Sequence, residues 1–466
     1  MPMDALFDAQ RRAFAVERSP TLAVRLDRLA RLQQMLDAEG DALLAAIDLD
    51  FSGRSPTESQ IIELFPSLEG IRYARRHLAR WMKPERRHVS FWFAPARAEV
   101  RYQPKGVVGI VVPWNYPLFL AIGPLTAALA AGNRAMLKLS EYCPRFSAAF
   151  AAAVSRHFSP EEVAVVEGSA KVAQHFVALP FDHLLFTGST AVGRHVMTAA
   201  AKSLTPVTLE LGGKSPVILG EDFPIASAAQ RIVFAKLTNG GQTCVAPDYV
   251  LLPQARRDEF IAAARAAASQ LYGSGTSDYA SIVSDRHHTR LKSLMEEARA
   301  NGAHVELLLE KDALPGRKMA PAILTNVTRD MGVMREEIFG PLLPVLTYSQ
   351  LDEALAFINA GDRPLALYVF DNDPARIDRI LASTHSGGVA INDGLLQVAQ
   401  DDLPFGGIGA SGMGAYHGPE GFKTFSHARG IFRQSSINSM PLLYPPYGKR
   451  TAWILRLMLR RWRKSC

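Results

Sequence analysis

Residues 239–247 read Asn239-Gly240-Gly241-Gln242-Thr243-Cys244-Val245-Ala246-Pro247. Two glycines precede the cysteine and a proline follows it. These are poor materials for the interior of a helix or strand. They suit a backbone that presents one side chain, and its own N–H, to a bound molecule. The chemistry on offer is attack by a thiolate on an electrophilic carbon. A buried structural cysteine is the ordinary alternative, so the rest of the chain must decide.

Two further stretches carry chemistry. Glu210 stands inside Val207-Thr208-Leu209-Glu210-Leu211-Gly212-Gly213, an apolar strand pattern. A glutamate there is uncomfortable unless paired or functional; the competing reading is an outward-facing residue on a strand edge. Leu184 to Gly193 runs from an apolar strand into a glycine turn and a helix starting near Ala191. Backbone N–H groups at such a helix start can hold a phosphate. The spacing is Gly188-x4-Gly193, not G-x-G-x-x-G, and a purely structural turn has the same appearance.

The elements that must position these residues alternate. Residues 4 to about 48 read as helices, with Leu22, Leu26, Leu29 and Leu32 at helical spacing. Another helical stripe carries Ile61, Ile62, Leu64, Phe65, Leu68, Ile71 and Tyr73. The basic run Arg75 to Arg87 reads as a solvated helix face near a subunit contact. Ser90–Phe93 and Ala98–Tyr102 read as strands joined by a proline-containing turn. Val107–Val112 is a buried parallel strand ending at Pro113-Trp114-Asn115-Tyr116-Pro117. A helix over 118–131 stops at Gly132, Ala135–Leu139 is the next strand, and a helix over 146–157 leads to the strand 163–166. This β-α-β alternation predicts a doubly wound α/β sheet. After Cys244 a second α/β segment follows, with strands at 249–252, 321–324, 343–346, 366–370 and 388–392 and a helix over 257–271. Pro404 to Gly418 reads as a long glycine-rich loop.

Composition excludes several classes. The three cysteines are scattered, with no CxxC spacing, which argues against a disulfide framework or a zinc site and for a reducing, cytoplasmic setting. No histidine cluster asks for a metal. No secretory pattern opens the chain and no apolar run is long enough to span a bilayer. The net charge of +7 invites nucleic acid, but no nucleic-acid module accompanies it.

Taken in order, Pro113–Pro117, Phe186-Thr187-Gly188-Ser189-Thr190, Leu209–Pro216, Gly241-Gln242-Thr243-Cys244, Glu337-Ile338-Phe339-Gly340-Pro341 and Pro404-Phe405-Gly406-Gly407 resemble the aldehyde dehydrogenase superfamily over about residues 5 to 435. The short amino-terminal region, Cys244–Tyr249 and Ser411–Gly418 look like its class 3 branch, and within it the bacterial coniferyl aldehyde dehydrogenases.

That resemblance implies a Rossmann-like cofactor domain (1–88 and 104–209), an α/β catalytic domain (210–400), a small β bridging or oligomerisation element (89–103 and 401–440) and a basic tail (441–466). It implies oxidation of an aldehyde, apolar or aromatic, to the acid with NAD or NADP, through a cysteine thiohemiacetal and thioester. Cys244 would be the nucleophile, with Asn115 and the backbone N–H of Cys244 holding the alkoxide and Glu210 as general base. Trp114, Lys138, Glu141, Gly188, Ser189, Gly193, Glu337 and Phe339 would bind the cofactor, Glu337 at the nicotinamide ribose and as a contender for base. A carboxylate at Glu141 favours NAD over NADP. Tyr116 and Phe119 would line the substrate entry, and a homodimer would form. His417 reads as ordering its loop.

The tail, Trp453 to Lys464, places Arg456, Arg460, Arg463 and Lys464 on one helical stripe. As a helix from Thr451 it is about 21 Å long, short of a bilayer core of roughly 30 Å. It either docks on the enzyme's own dimer or lies on an anionic membrane surface. Two rival functions are a cysteine acyltransferase or thioesterase without hydride chemistry, and an inactive scaffold. The phosphate turn and Lys138 oppose the first; Asn115, Glu210, Cys244 and Glu337 together oppose the second.

Overall fold

A computed structural model of the chain describes residues 2–273, 276–309 and 314–462, with side chains described through residue 459. Three sheets organise it. In the six-stranded sheet the order is Gly412–Met413, Val207–Leu211, His183–Gly188, Val107–Val111, Arg134–Lys138, Val163–Val166. Its pairings are parallel except that of Gly412–Met413 with Val207–Leu211. The chain adds strands to one side of Val107–Val111 and then to the other. The order therefore reverses between Val107–Val111 and His183–Gly188, which is where doubly wound sheets open a crevice at their carboxyl ends.

The seven-stranded sheet runs His304–Leu307, Ala322–Thr325, Leu342–Tyr348, Tyr249–Pro253, Pro216–Leu219, Ala366–Phe370, Gly388–Ile391. It too is parallel apart from its first pair. Strands such as Arg134–Lys138, Pro216–Leu219 and Ala366–Phe370 are buried at every residue, as parallel strands covered on both faces must be. A third, antiparallel sheet joins Glu85–Arg87, Arg97–Pro104 and Ser426–Arg433.

Three local expectations change. Ser90–Phe93 is not a strand: Phe91–Phe93 is a 3-10 turn. The N–H groups of Phe93 and Ala94 donate back to the carbonyls of Ser90 and Phe91, so local bonds satisfy the backbone in place of a neighbouring strand. The basic run is not one helix: Phe65–Trp81 ends before Glu85–Arg87, which pairs with Ala98–Val100. The stripe at 61–73 is interrupted by a π-turn, Gln60–Leu64. The wider turn shifts the phase of the stripe, so Ile61 and Phe65 face outward while Glu63 is buried. The 404–418 loop also contributes an edge: Gly412 stands opposite Glu210.

Candidate active site

The cysteine loop begins where the helix Ile225–Leu237 gives way to the turn Thr238–Gly241. Asn239, Gly240 and Gly241 all have positive φ, at 53°, 62° and 79°. Gly241 is also sterically required: a Cβ there would lie 2.4 Å from the carbonyl oxygen of Gly340. The loop is fastened from several sides. Asn239 N–H donates to Glu58 Oε1 at 3.1 Å, and its Nδ2 donates to the carbonyls of Asn115 (3.0 Å) and Gln242 (3.2 Å). Gln242 Nε2 donates to Ser281 O at 3.0 Å and its Oε1 accepts from Val283 N at 2.9 Å. Tyr116 hydrogen-bonds Thr243 Oγ1, and Tyr368 donates to Val245 O.

Cys244 is half-buried. Desolvation, then the charges of Glu337 and Glu210, push its thiol up to about 12. The side-chain amide of Asn115, itself buried, donates to Gln242 O at 3.2 Å, which ties the expected oxyanion donor to the cysteine loop.

Glu210 faces inward. It is 2% exposed and neither carboxylate oxygen has a hydrogen-bond partner. Burial alone holds its carboxyl well above the usual range. The outward-facing alternative is excluded, and a buried carboxylate without partners is what a working base requires. Glu337 is raised to about 8, chiefly by desolvation and then by Asp248, while the Gly213 N–H opposes the shift. Its Oε1 is unpartnered.

Trp114, Lys138, Glu141, Gly188, Ser189 and Gly193 follow or end strands of the six-stranded sheet, while Glu337 and Phe339 precede Leu342–Tyr348 of the seven-stranded one. Ser189 caps the helix Thr190–Ala201, accepting from Val192 N at 3.4 Å, and is exposed with it at the helix start. Gly193 lets that helix meet the sheet, since a Cβ there would be 2.7 Å from Leu211. Lys138 ends the strand Arg134–Lys138; its ammonium donates to the carbonyls of Leu139 and Gly168. Desolvation lowers its pKa, with Glu141 and Glu167 opposing. Glu141 is exposed beyond it. Trp114 and Phe339 meet edge-on at 5.3 Å between centroids. The exposed twelve-residue helix start, the unpartnered Thr187 Oγ1 beside it and the unpartnered Glu337 Oε1 fit a dinucleotide with a pyrophosphate and ribose hydroxyls.

Phe119 is half-buried and packs edge-on to His417 at 6.1 Å, while His417 stacks on Phe405 at 5.2 Å. The hydrogen bond expected to let His417 order its loop is not made among the described residues: neither ring nitrogen has a partner, burial lowers the imidazole to about 4, and ring packing holds it instead.

Sequence reasoning passed over Tyr416, Arg54, Glu58 and Glu63. Tyr416 is buried with an unpartnered hydroxyl, and its phenol feels the charges of Glu210 and Cys244. Glu63 stands among Ile61, Ile62, Leu64 and Phe65, so it carries the signal that marked Glu210: a lone carboxylate in an apolar run.

The model of the "Aldehyde dehydrogenase family" matches residues 2–431. A probable coniferyl aldehyde dehydrogenase of Pseudomonas aeruginosa is 51% identical over 96% of this chain and 94% of its own. A rat "Aldehyde dehydrogenase, dimeric NADP-preferring" is 37% identical over 94% of this chain and 96% of its own. The solved substrate-bound state of Staphylococcus aureus AldH superposes with a TM-score of 0.93 at 36% identity, covering 98% of this chain and all of that one. The chain therefore belongs to the aldehyde dehydrogenase family, and it is an enzyme that oxidises aldehydes with a nicotinamide dinucleotide.

Proposed function

We propose that Cys244 carries this oxidation on an aromatic aldehyde of the coniferyl type, with NAD as the preferred cofactor. The observation that supports the mechanism is a half-buried thiol on a loop tied to the Asn115 amide, with the buried carboxyl of Glu210 left without a hydrogen-bond partner. In its ionised form Glu210 takes the thiol proton, directly or through water, and passes it to solvent before it serves again. The sulfur attacks the carbonyl carbon. Asn115 Nδ2 and the Cys244 N–H receive the alkoxide, and losing one such donor typically costs roughly 3–4 kcal/mol of barrier. A bound nicotinamide dinucleotide supplies the hydride acceptor. Glu210 then activates the water that hydrolyses the thioester on Cys244, while Glu337 holds the ribose hydroxyls.

The substrate reading rests on the Pseudomonas aeruginosa relative's name and on the aromatic group of Phe119, Phe405 and His417; Tyr116 packs under Arg54 and bonds Thr243. Formation of reduced cofactor across a panel of aliphatic and cinnamyl aldehydes tests it, with Cys244→Ala as the control. An active alanine variant overturns the mechanism; a preference for short aliphatic aldehydes overturns only the substrate class. Reduced-cofactor formation also separates this reading from acyl transfer, which needs none.

For assembly we propose a homodimer through the three-stranded sheet. Ser426–Arg433 is an eight-residue edge strand whose outer edge is unpaired, a ready template for another chain. The rat relative's name includes "dimeric". The helix Lys449–Trp462 exposes Trp453, Leu455, Leu457 and Leu459, and we assign it to the same contact. Of its basic stripe, Arg463 and Lys464 lie outside the described residues, as does the side chain of Arg460. Among the described residues no helix is long and apolar enough to cross a membrane. Sedimentation of the full chain tests the dimer; a monomer overturns it. Flotation with anionic liposomes, comparing the full chain with one ending at Pro445, tests the helix: binding lost with the tail replaces docking by a membrane contact.

A further inference from the structure

Beneath the cysteine loop lies an ion pair that the chemistry above does not use. Arg54 follows a tight break, Ser52 and Gly53, both with positive φ, and its N–H donates to Asp48 Oδ1 at 2.8 Å. Its side chain is fully buried. Nη1 lies 2.8 Å from Glu63 Oε1 and donates to the carbonyl of Asn115 at 3.1 Å. The guanidinium sits over the rings of Phe51 and Tyr116, at 5.1 and 5.2 Å from their centroids. Glu58 Oε1 is 3.9 Å from Arg54 Nε.

Each partner of Arg54 leads into the site. Glu63 comes from the π-turn Gln60–Leu64, and its Oε2 accepts from the N–H groups of Leu118 (2.8 Å) and Phe119 (3.0 Å). These open the helix Phe119–Ala131, which has no capping side chain at Leu118. Glu63 supplies that cap from another element and fixes the chain just after Asn115. Glu58 accepts from the N–H of Asn239, three residues ahead of Gln242. The carbonyl of Asn115 receives Arg54 from one side and Asn239 Nδ2 from the other. Its amide reaches back to Gln242 O.

We propose that Arg54, with Glu63, is the positioning residue that sets the Asn115 amide against Cys244, so that the oxyanion pocket exists before the aldehyde arrives. This rests on the reading of Asn115 as the oxyanion donor. Arg54 touches neither substrate nor sulfur. It acts by clamping the backbone of Asn115 at its carbonyl and at the following turn. Both contacts run through one nitrogen, Nη1, at the far end of the guanidinium. A lysine side chain is one atom shorter, so its ammonium stops short of that position and cannot hold both partners where arginine does.

The test is a double-mutant cycle on kcat with Arg54→Lys and Asn115→Ala, in the full-length enzyme. Lysine keeps the charge opposite Glu63, so the variant avoids an unpaired buried carboxylate. Arg54→Lys alone should lower kcat by about 100-fold, the scale of a misplaced reacting group, with the cofactor KM unchanged. In the Asn115→Ala background the same change should cost under about threefold, because the residue through which Arg54 acts is gone. An equal loss in both backgrounds overturns the proposal, as does wild-type kcat in Arg54→Lys. If Arg54→Lys does not fold, Glu63→Gln enters the cycle in its place with the same expectations. A fully active Asn115→Ala enzyme points elsewhere: it removes the oxyanion reading itself.

Discussion

The carboxylate of Glu337 rests against the backbone of Gly212: a Cβ at position 212 would stand 1.9 Å from Glu337 Oε2. The strand that carries Glu210, Val207–Leu211, is therefore followed at once by a residue whose missing side chain seats the second carboxylate. Gly212→Ala should displace Glu337 while leaving Glu210 in place. Overpacking of this kind typically costs about 1–3 kcal/mol of stability. The cofactor KM should rise about tenfold, near the upper end of what one lost hydrogen-bonding position is worth, with the aldehyde KM little changed. Steady-state kinetics with each substrate varied checks this. An unchanged cofactor KM removes Glu337 from the ribose.

The same carboxylate loads the thiol. Desolvation raises Cys244 most, and Glu337 follows ahead of Glu210. Glu337→Gln deletes that charge, so the thiolate fraction near pH 9 should rise. Alkylation of Cys244 by iodoacetamide should speed up several-fold there and change little near pH 6, where Glu337 is already neutral. Stability gives an independent readout. The Glu337 carboxyl stands at about 8 against an ordinary 4.5. Between those values the folded state holds a proton that the unfolded state has released, so stability falls as pH rises through this window. The melting temperature of Glu337→Gln, relative to wild type, should therefore climb from pH 5 to pH 8. A flat difference would falsify the raised carboxyl.

The alternation of strand and helix was legible because parallel strands covered on both faces are nearly continuous apolar runs, as Val107–Val111 and Ala366–Phe370 are. Glu210 was legible for the converse reason: a carboxylate breaks such a run. What stayed hidden depends on contacts between distant segments. Arg54 meets Asn115, and Glu63 meets Leu118, at separations of 61 and 55 positions, and no local pattern marks a guanidinium that will be buried. The π-turn at Gln60–Leu64 likewise defeats a strict 3.6-residue count, which is why Ile61 and Phe65 read as core and lie outside. Ser90–Phe93 failed because aromatic strand propensity is only a preference for a pleated, half-covered surface, and that segment satisfies its backbone locally.

The proposed preference for NAD can be tested at Glu141. It is exposed beyond the buried Lys138, at the end of the strand Arg134–Lys138. A 2′-phosphate brought beside it meets a like charge. Glu141→Ala should raise kcat/KM for NADP relative to NAD by about tenfold, equal to about 1.4 kcal/mol, with the gain shrinking at high salt. An unaltered ratio places the ribose elsewhere.

Gly241 joins the Cys244 loop to the Glu337 loop, and its replacement should be felt at both. With φ at 79° an alanine there is strained, and its Cβ would stand 2.4 Å from the carbonyl of Gly340. The obstacle is backbone, so no rotamer relieves it. The left-handed strain alone is worth about 1–3 kcal/mol. The close approach adds movement of either Gly340, and with it Glu337, or Gly241, and with it Cys244. Gly241→Ala should thus lower kcat by about 100-fold or more and raise the cofactor KM, in protein that still melts cooperatively. Gly302→Ala is the control: its φ is 95°, yet nothing lies within 4 Å of its added Cβ. That variant should lose similar backbone stability and keep wild-type kinetics. If both glycine variants lost activity equally, general destabilisation would account for the effect; the difference between them measures how tightly the cysteine loop and the Glu337 loop are locked together.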